Sequence, residues 1–218
     1  MDRSKGYNRR ARKLLHIAAG FPALALPYVT AWVALIAALA GVILAHWIRP
    51  KHAWWLRYIT KPADRNRNII AGMRSYSMVI LLLVLLWFPL ERLAGTAAYA
   101  TGAVRYIMFG WLAMAWGDGL AALMGPGPSV ARTVPWNKQK TWWGVLGCFV
   151  GTWVAFIACF AWPLRGTESL YLANPLGYGA AVAVVIAIVE SLVSKVDDNY
   201  IVGLGGAAAA WAVVSLLK

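Results

Sequence analysis

Long apolar runs separated by short polar segments organise this chain. A helix needs about 20 mostly apolar residues to span a bilayer, and the sequence divides into about seven such runs. They cover approximately residues 14–28, 30–47, 69–88, 95–116, 141–162, 176–194 and 201–217. The pattern predicts an all-α, polytopic membrane bundle with about seven transmembrane helices, formed by residues 1–218 as one domain.

Composition and charge support this prediction and suggest an orientation. Apolar residues make up 61% of the chain, compared with about 45–50% in soluble domains. The net charge is +13, but most cations lie beside apolar runs, so we expect contact with anionic membrane lipid and not with nucleic acid. The basic residues cluster at the start, at Arg3, Lys5, Arg9, Arg10, Arg12 and Lys13. This cluster predicts a cytoplasmic N-terminus.

The orientation carries through to the later loops. Residues 48–68 combine cations with Trp54 and Trp55, which is typical of an interfacial segment. Counting sides from the N-terminus places the loop after residue 116 and the end of the sixth run on the cytoplasmic face. We therefore expect an integral protein of a prokaryotic cell membrane with its active site on that face. The sequence is compatible with a homo-oligomer.

Asp118 is the first candidate for chemistry. It lies between Gly117 and Gly119, where the fourth apolar run gives way to the Gly/Pro-rich stretch 125–128, and we expect it at a helix end. The following loop carries Arg132, Lys138 and Lys140 and leads into a new helix at Thr141. A helix N-terminus beside cations is suited to bind phosphate. The alternatives are a solvated acid and a lysine that snorkels to the interface.

A second acidic group ends the sixth apolar run. Glu190 and Asp197 are seven positions apart and share a helical face if the helix continues that far, with Asp198 and Asn199 following. Together with Asp118 these acids could converge on one Mg²⁺, which prefers oxygen ligands and substrate phosphates. Helix capping is the alternative.

The spacing of the histidine and cysteine residues does not by itself indicate a functional site. His16 begins the first apolar run, where a lone histidine is usually an interfacial hydrogen-bonding residue. Cys148 and Cys159 are eleven positions apart in one predicted helix, which separates them by about 16 Å along its axis. That separation excludes a disulfide between them.

Taken together, the motifs resemble the phytol kinase, dolichol kinase and polyprenol kinase family of CTP-dependent membrane enzymes. The similar blocks, in the family's order, are Arg12-Lys13-Leu-Leu-His16 with Gly20, Gly72 with Tyr76, Gly117-Asp118-Gly119 through Gly125, Lys140-Thr141-Trp142-Trp143-Gly144, Glu190-Ser191 and Asp197-Asp198-Asn199. Two positions depart from the family pattern: Trp143 and Asn68 stand where the family commonly has acids.

The resemblance implies a lipid kinase that transfers the γ-phosphate of CTP to the hydroxyl of a long-chain isoprenoid alcohol at the cytoplasmic face. It implies Mg²⁺ binding by Glu190, Asp197 and Asp198, and a role for Asp118 as base or metal ligand. It further implies nucleotide contacts from Lys140, Thr141, Arg132, Lys138, Asn199 and His16. The alternatives are a CTP-dependent diacylglycerol kinase, a phospholipid cytidylyltransferase and, in another class, a small membrane transporter, although no internal repeat supports the last.

Overall fold

A computed structural model describes residues 7–94, 102–125, 131–161, 172, 174–193 and 196–217. The helices are α1 (Arg9–Ala18), α2 (Ala31–Trp47), α3 (Trp54–Ile59), α4 (Pro62–Asn66), α5 (Ala71–Ala94), α6 (Ala103–Leu112), α7 (Gly119–Met124), α8 (Trp142–Phe160), α9 (Pro175–Leu192) and α10 (Asp198–Leu217). Segments Phe21–Tyr28 and Pro50–His52 are 3₁₀-helical, and Ala113–Asp118 forms a π-helical turn between α6 and α7.

Within the described residues, five helical segments are long and apolar enough to cross a membrane: Ala71–Pro89, Ala103–Met124, Trp142–Phe160, Pro175–Leu192 and Asp198–Leu216. Helix α2 is apolar but shorter. These segments confirm an all-α fold of membrane-spanning type. The count of seven spans and the cytoplasmic N-terminus stay predictions.

The first apolar run is not the continuous helix that the sequence predicts. Helix α1 starts earlier, with the side chain of Asn8 accepting a hydrogen bond from the Ala11 N–H at 2.9 Å, and it ends at Ala18. The chain then continues as 3₁₀ helix through Pro22 and Pro27. Proline has no backbone N–H to donate, so an α-helix of spanning length does not form here.

The fourth apolar run also ends differently from the prediction. The helix continues beyond Trp116 to Met124, with the π-helical turn Ala113–Asp118 inside it, so Asp118 lies within a helix and not at a helix end. Its glycine neighbours are contact points, because a Cβ atom on Gly117 would lie 2.6 Å from Thr152 Oγ1 and one on Gly119 would collide with Ile17. Single π-turns occur frequently at functional sites. Most of the predicted loop 125–128 lies outside the described residues.

Helix α8 packs closely against this interrupted helix. A Cβ atom on Gly147 would lie 2.6 Å from the Leu120 carbonyl oxygen, and one on Gly151 would collide with the Trp116 carbonyl. Small residues in this segment therefore allow the two helices to approach closely. Helix α10 completes the bundle by packing against α5, α6 and α9.

A short β-hairpin precedes α8 where the sequence predicts only a cationic loop. Strand β1 (Thr133–Val134) pairs antiparallel with β2 (Asn137–Thr141), with Thr133 opposite Thr141 and Val134 opposite Asn137. Val134 and Asn137 are buried. The hairpin therefore gives the backbone around Lys140 a fixed position against the helices.

Candidate active site

The first charged cluster is centred on Asp118, whose side chain is buried in the π-helical turn. The Lys13 ammonium donates a hydrogen bond to Asp118 Oδ2 at 2.6 Å, and His16 Nε2 lies 3.1 Å from the same oxygen. His16 Nε2 also lies 3.1 Å from the Met114 carbonyl oxygen. Since both neighbours are acceptors, we infer that Nε2 carries the ring proton. Lys13, His16 and Asp118 form what we call the Asp118 cluster.

Helix α1 supplies both partners of Asp118. Lys13 and His16 are three positions apart, so they lie on one face of α1. One turn earlier, Arg9 Nη2 donates to the carbonyls of Ala122 and Gly125, at 3.0 and 3.1 Å. Those carbonyls belong to the end of α7, where the helix itself provides no partner. Helix α1 thus fixes the interrupted helix at two points.

The second cluster joins three separate elements. Lys140, in strand β2, donates hydrogen bonds to Glu190 Oε1 in the last turn of α9 and, at 3.0 Å, to Asp198 Oδ2 at the start of α10. Glu190 is only 3% exposed, and its second oxygen, Oε2, is buried without a hydrogen-bond partner among the described residues. We call Lys140, Glu190 and Asp198 the Lys140 cluster.

The two carboxylates set the charge state of Lys140. Burial by itself lowers the pKa of the ammonium group, but Glu190 and Asp198 together outweigh burial and raise the pKa above its usual value. Lys140 therefore stays protonated at neutral pH. One positive charge faces two carboxylates, so the cluster has an excess of negative charge.

The hairpin holds Lys140 in place through contacts with the end of α9. Asn137 Nδ2 donates to the Ser191 carbonyl at 3.0 Å, and Trp136 Nε1 donates to Ser191 Oγ at 3.1 Å. On the other side of Lys140, Thr141 Oγ1 accepts from the Gly144 N–H at 3.2 Å and caps α8. Lys140 consequently sits at the N-terminus of α8, as the sequence predicts.

Asp197 and Asn199 flank Asp198 but have different surroundings. Helix α9 ends at Leu192, so the condition under which Glu190 and Asp197 would share a helical face is not met. Asp197 is exposed, and its Oδ1 accepts from the Asn199 N–H at 3.0 Å. Asn199 is buried, and its Nδ2 donates to Ser75 Oγ on α5 at 2.8 Å.

The structure divides the predicted site residues into three groups. Asp118 and His16 meet in the Asp118 cluster, while Glu190 and Asp198 meet at Lys140. Asp118 lies close enough to these two acids for their charges to interact, yet no group of three metal-ligating side chains forms in the described part of the chain. Of the remaining residues, Thr141 and Asn199 are buried, whereas Arg132, Lys138 and Asp197 are exposed. Their roles, and those of the buried residues, stay predictions.

Sequence reasoning gave no site role to three cations that have buried polar groups: Lys13, Arg12 and Arg74. Lys13 is expected from the sequence to orient the chain and is part of the Arg12-Lys13 block of the family resemblance, but it has no predicted role in the site, although its spacing from His16 is a usable signal. Arg12 and Arg74 each bury an Nε atom without a hydrogen-bond partner among the described residues. Arg12 lies next to Gly72, where a Cβ atom would be 3.6 Å from Arg12 Nη1. For Arg74, no pattern in the sequence distinguished it from other interfacial cations.

Fold and site together define a helical protein of membrane-spanning type with two ion-paired clusters, one at Asp118 and one at Lys140. The chain is similar to a phytol kinase from Synechocystis sp., with 28% identity over 205 residues that cover 92% of this chain and 78% of the relative. No protein-family profile matches the chain, and no solved structure is detectably similar to it. The similarity over most of the chain supports a relation to phytol and polyprenol kinases.

Proposed function

We propose that the protein is an isoprenoid alcohol kinase that transfers the γ-phosphate of CTP to the hydroxyl of phytol, dolichol or another polyprenol at the cytoplasmic membrane face. The observation that carries this proposal is the Lys140 cluster, in which a cation at a helix N-terminus pairs with the buried Glu190 and the partly exposed Asp198. Such a set suits the metal and phosphate groups that phosphoryl transfer requires. The similarity to a phytol kinase supports the same class of reaction.

Glu190 and Asp198 fit a magnesium site by their chemistry. Mg²⁺ is usually bound through one or two carboxylates together with substrate phosphates. The unpartnered Glu190 Oε2 is an unused oxygen ligand at this position. When bound, Mg²⁺ would neutralise charge on the phosphate oxygens. Asp197, which is exposed beside Asp198, is proposed as a further ligand.

The cations and polar groups around these acids are proposed to hold the nucleotide. Lys140 and the capped N-terminus of α8 at Thr141 would face the phosphates, and Asn199 lies beside Asp198. The exposed Arg132 and Lys138 on the hairpin would contact the outer part of the nucleotide.

The Asp118 cluster is proposed to position the alcohol. Asp118 lies in a segment long and apolar enough to span a membrane, and the proposed substrate would bring its hydroxyl to Asp118 while its hydrocarbon chain stays in lipid. Leu14, Leu15 and Phe21, close to His16 in sequence, expose 58%, 50% and 57% of their surfaces and would flank that chain. The alcohol oxygen forms a bond to the γ-phosphorus, the bond to the β-phosphate oxygen breaks, and the hydroxyl proton passes to the Asp118 cluster as CDP leaves.

Purified protein in detergent should be tested with CTP labelled in the γ-phosphate and with phytol, farnesol, longer polyprenols and diacylglycerol as acceptors. We expect labelled isoprenoid phosphate, greatly reduced in Glu190→Gln. The matched control is Asp64→Asn, which neutralises an acid on α4 outside both clusters. Label in diacylglycerol alone would favour the diacylglycerol kinase alternative, and equal activity in Glu190→Gln and the control would remove the Lys140 cluster from the site.

A further inference from the structure

We propose that Lys140 is an internal counter-cation of Glu190 and Asp198 that a divalent metal displaces when nucleotide binds. Metal binding at this pair of acids would then depend on nucleotide, and Lys140 would move from the acids to the phosphates. The inference rests on the proposed function and adds a regulatory property to the same site.

The first argument is the position of the ammonium group. Lys140 Nζ contacts one oxygen of Glu190 and one of Asp198 at the same time. A metal ion that coordinates both carboxylates would need the space that Nζ occupies. Lysine and metal therefore compete for the same two oxygens.

The second argument is that Lys140 satisfies the acids incompletely. An ammonium group has three donors and one charge, whereas two carboxylates carry two charges and four acceptor oxygens. Glu190 Oε2 is buried without a partner in the described part of the structure, and a buried acceptor in that state is costly. A divalent cation would balance both charges and could use the free oxygen.

The third argument is that only the Lys140 side chain has to move. Its backbone is fixed by the hairpin contacts to Ser191 and by the cap of α8 at Thr141. The side chain is a flexible four-carbon stem, and it lies beside a helix N-terminus where phosphate binds favourably. Among the three side chains, Asp198 is the most exposed at 34%, compared with 17% for Lys140 and 4% for Glu190. The exchange would therefore proceed from the Asp198 side.

These contacts lead to a reciprocal coupling between metal and nucleotide. Phosphates that accept hydrogen bonds from Lys140 free the acids for the metal, and metal on the acids frees Lys140 for phosphates. Each ligand must then raise the affinity for the other by the same factor. A purely structural ion pair would produce no coupling through Lys140.

The test is Mn²⁺ binding, measured by the loss of the free Mn²⁺ signal in electron paramagnetic resonance, with and without CTP. Wild-type protein should bind Mn²⁺ weakly alone and much more tightly with CTP. Lys140→Gln should bind Mn²⁺ at least tenfold more tightly than wild type without CTP, and CTP should improve its affinity far less. Lys61→Gln, which removes an exposed cation at the start of α4 outside both clusters, should behave like wild type.

A second comparison, which includes a charge-balanced double variant, keeps the proposal testable if Lys140→Gln misfolds. Lys140→Gln/Glu190→Gln loses one charge of each sign, and without CTP it should bind Mn²⁺ more tightly than Glu190→Gln alone, because only the latter keeps lysine on Asp198. Equal affinities in that comparison, or equal affinities in wild type and Lys140→Gln, would overturn the exchange even if lipid phosphorylation is observed. The proposed function would instead be contradicted if CTP failed to promote Mn²⁺ binding in any variant and no lipid were phosphorylated.

Discussion

Variants of Asp118 and of its ion-pair partner Lys13 can distinguish a structural role of Asp118 from a chemical one. Asp118 and Lys13 are 7% and 6% exposed, and their charged atoms are 2.6 Å apart. Replacing one partner leaves the other charge buried and uncompensated, which costs about 3–5 kcal/mol of stability. Asp118→Asn should therefore unfold at a clearly lower temperature than wild type.

The double variant Lys13→Met/Asp118→Asn removes both charges. Replacing a whole buried ion pair by neutral groups is often close to neutral in stability, so this variant should recover most of the free energy of unfolding that Asp118→Asn loses. It should not recover turnover, because the carboxylate is still absent. General-base groups typically contribute about 10²–10⁴ in rate, and a loss of that order is expected in both variants.

The assay pairs thermal unfolding in detergent with phosphorylation of the lipid alcohol at saturating CTP. Asp64→Asn serves as the control for loss of an acid elsewhere. Near-wild-type turnover in the double variant would refute the reasoning, since Asp118 would then act only as the structural partner of Lys13.

Three further predictions concern the rest of the site and the bundle. Asp198→Asn should raise the Mg²⁺ concentration needed for half-maximal rate, because a hard-cation site weakens with each lost carboxylate. Asp197→Asn should raise this concentration as well if Asp197 is a metal ligand. If Asp197 only caps the helix, the substitution would change only the stability of the protein, by about 0.5–2 kcal/mol. Arg105→Met should lower stability by about 1.5–3 kcal/mol, because it removes the 2.7 Å hydrogen bond from Arg105 Nη1 to the Cys159 carbonyl. The Mg²⁺ concentration needed for half-maximal rate should stay the same, and a change in it would contradict a purely structural role for Arg105. A cysteine introduced at the exposed hairpin position Gln139 should react with an impermeant reagent only from the cytoplasmic side. The two native cysteines are buried and should not react with the reagent. Labelling of the introduced cysteine from outside would overturn the predicted orientation.

The apolar pattern predicted the regular helices well because burial in lipid requires long apolar runs. Helix α8 was expected over 141–162 and spans Trp142–Phe160, with the predicted start at the Thr141 cap. The pattern failed where tertiary contacts decide the local structure. Asp118 interrupts the apolar run in sequence, yet the helix continues through it because Lys13, 105 positions away, neutralises its charge.

The candidate site was predictable in its parts but not in its pairing. The sequence predicts Lys140 in an anion site and Glu190 and Asp198 as metal ligands, and these roles stay predictions. The ion pairs between the three side chains depend on how β2, α9 and α10 meet in space. Spacing misplaced Asp197, because the chain becomes extended at Val193 and ends the helix before the acid. Charge alone could not separate Lys13 from the neighbouring cations that are expected to orient the chain in the membrane.

The most direct test of the proposed kinase activity compares CTP labelled in the α-phosphate with CTP labelled in the γ-phosphate, using purified protein and phytol. The kinase account predicts label in the lipid from γ-labelled CTP only, with one CDP released for each phytyl phosphate formed. Label from α-labelled CTP with release of pyrophosphate would instead indicate cytidylyl transfer. If neither CTP nor ATP were consumed in the presence of phytol, farnesol, longer polyprenols or diacylglycerol, the proposed kinase activity would be contradicted.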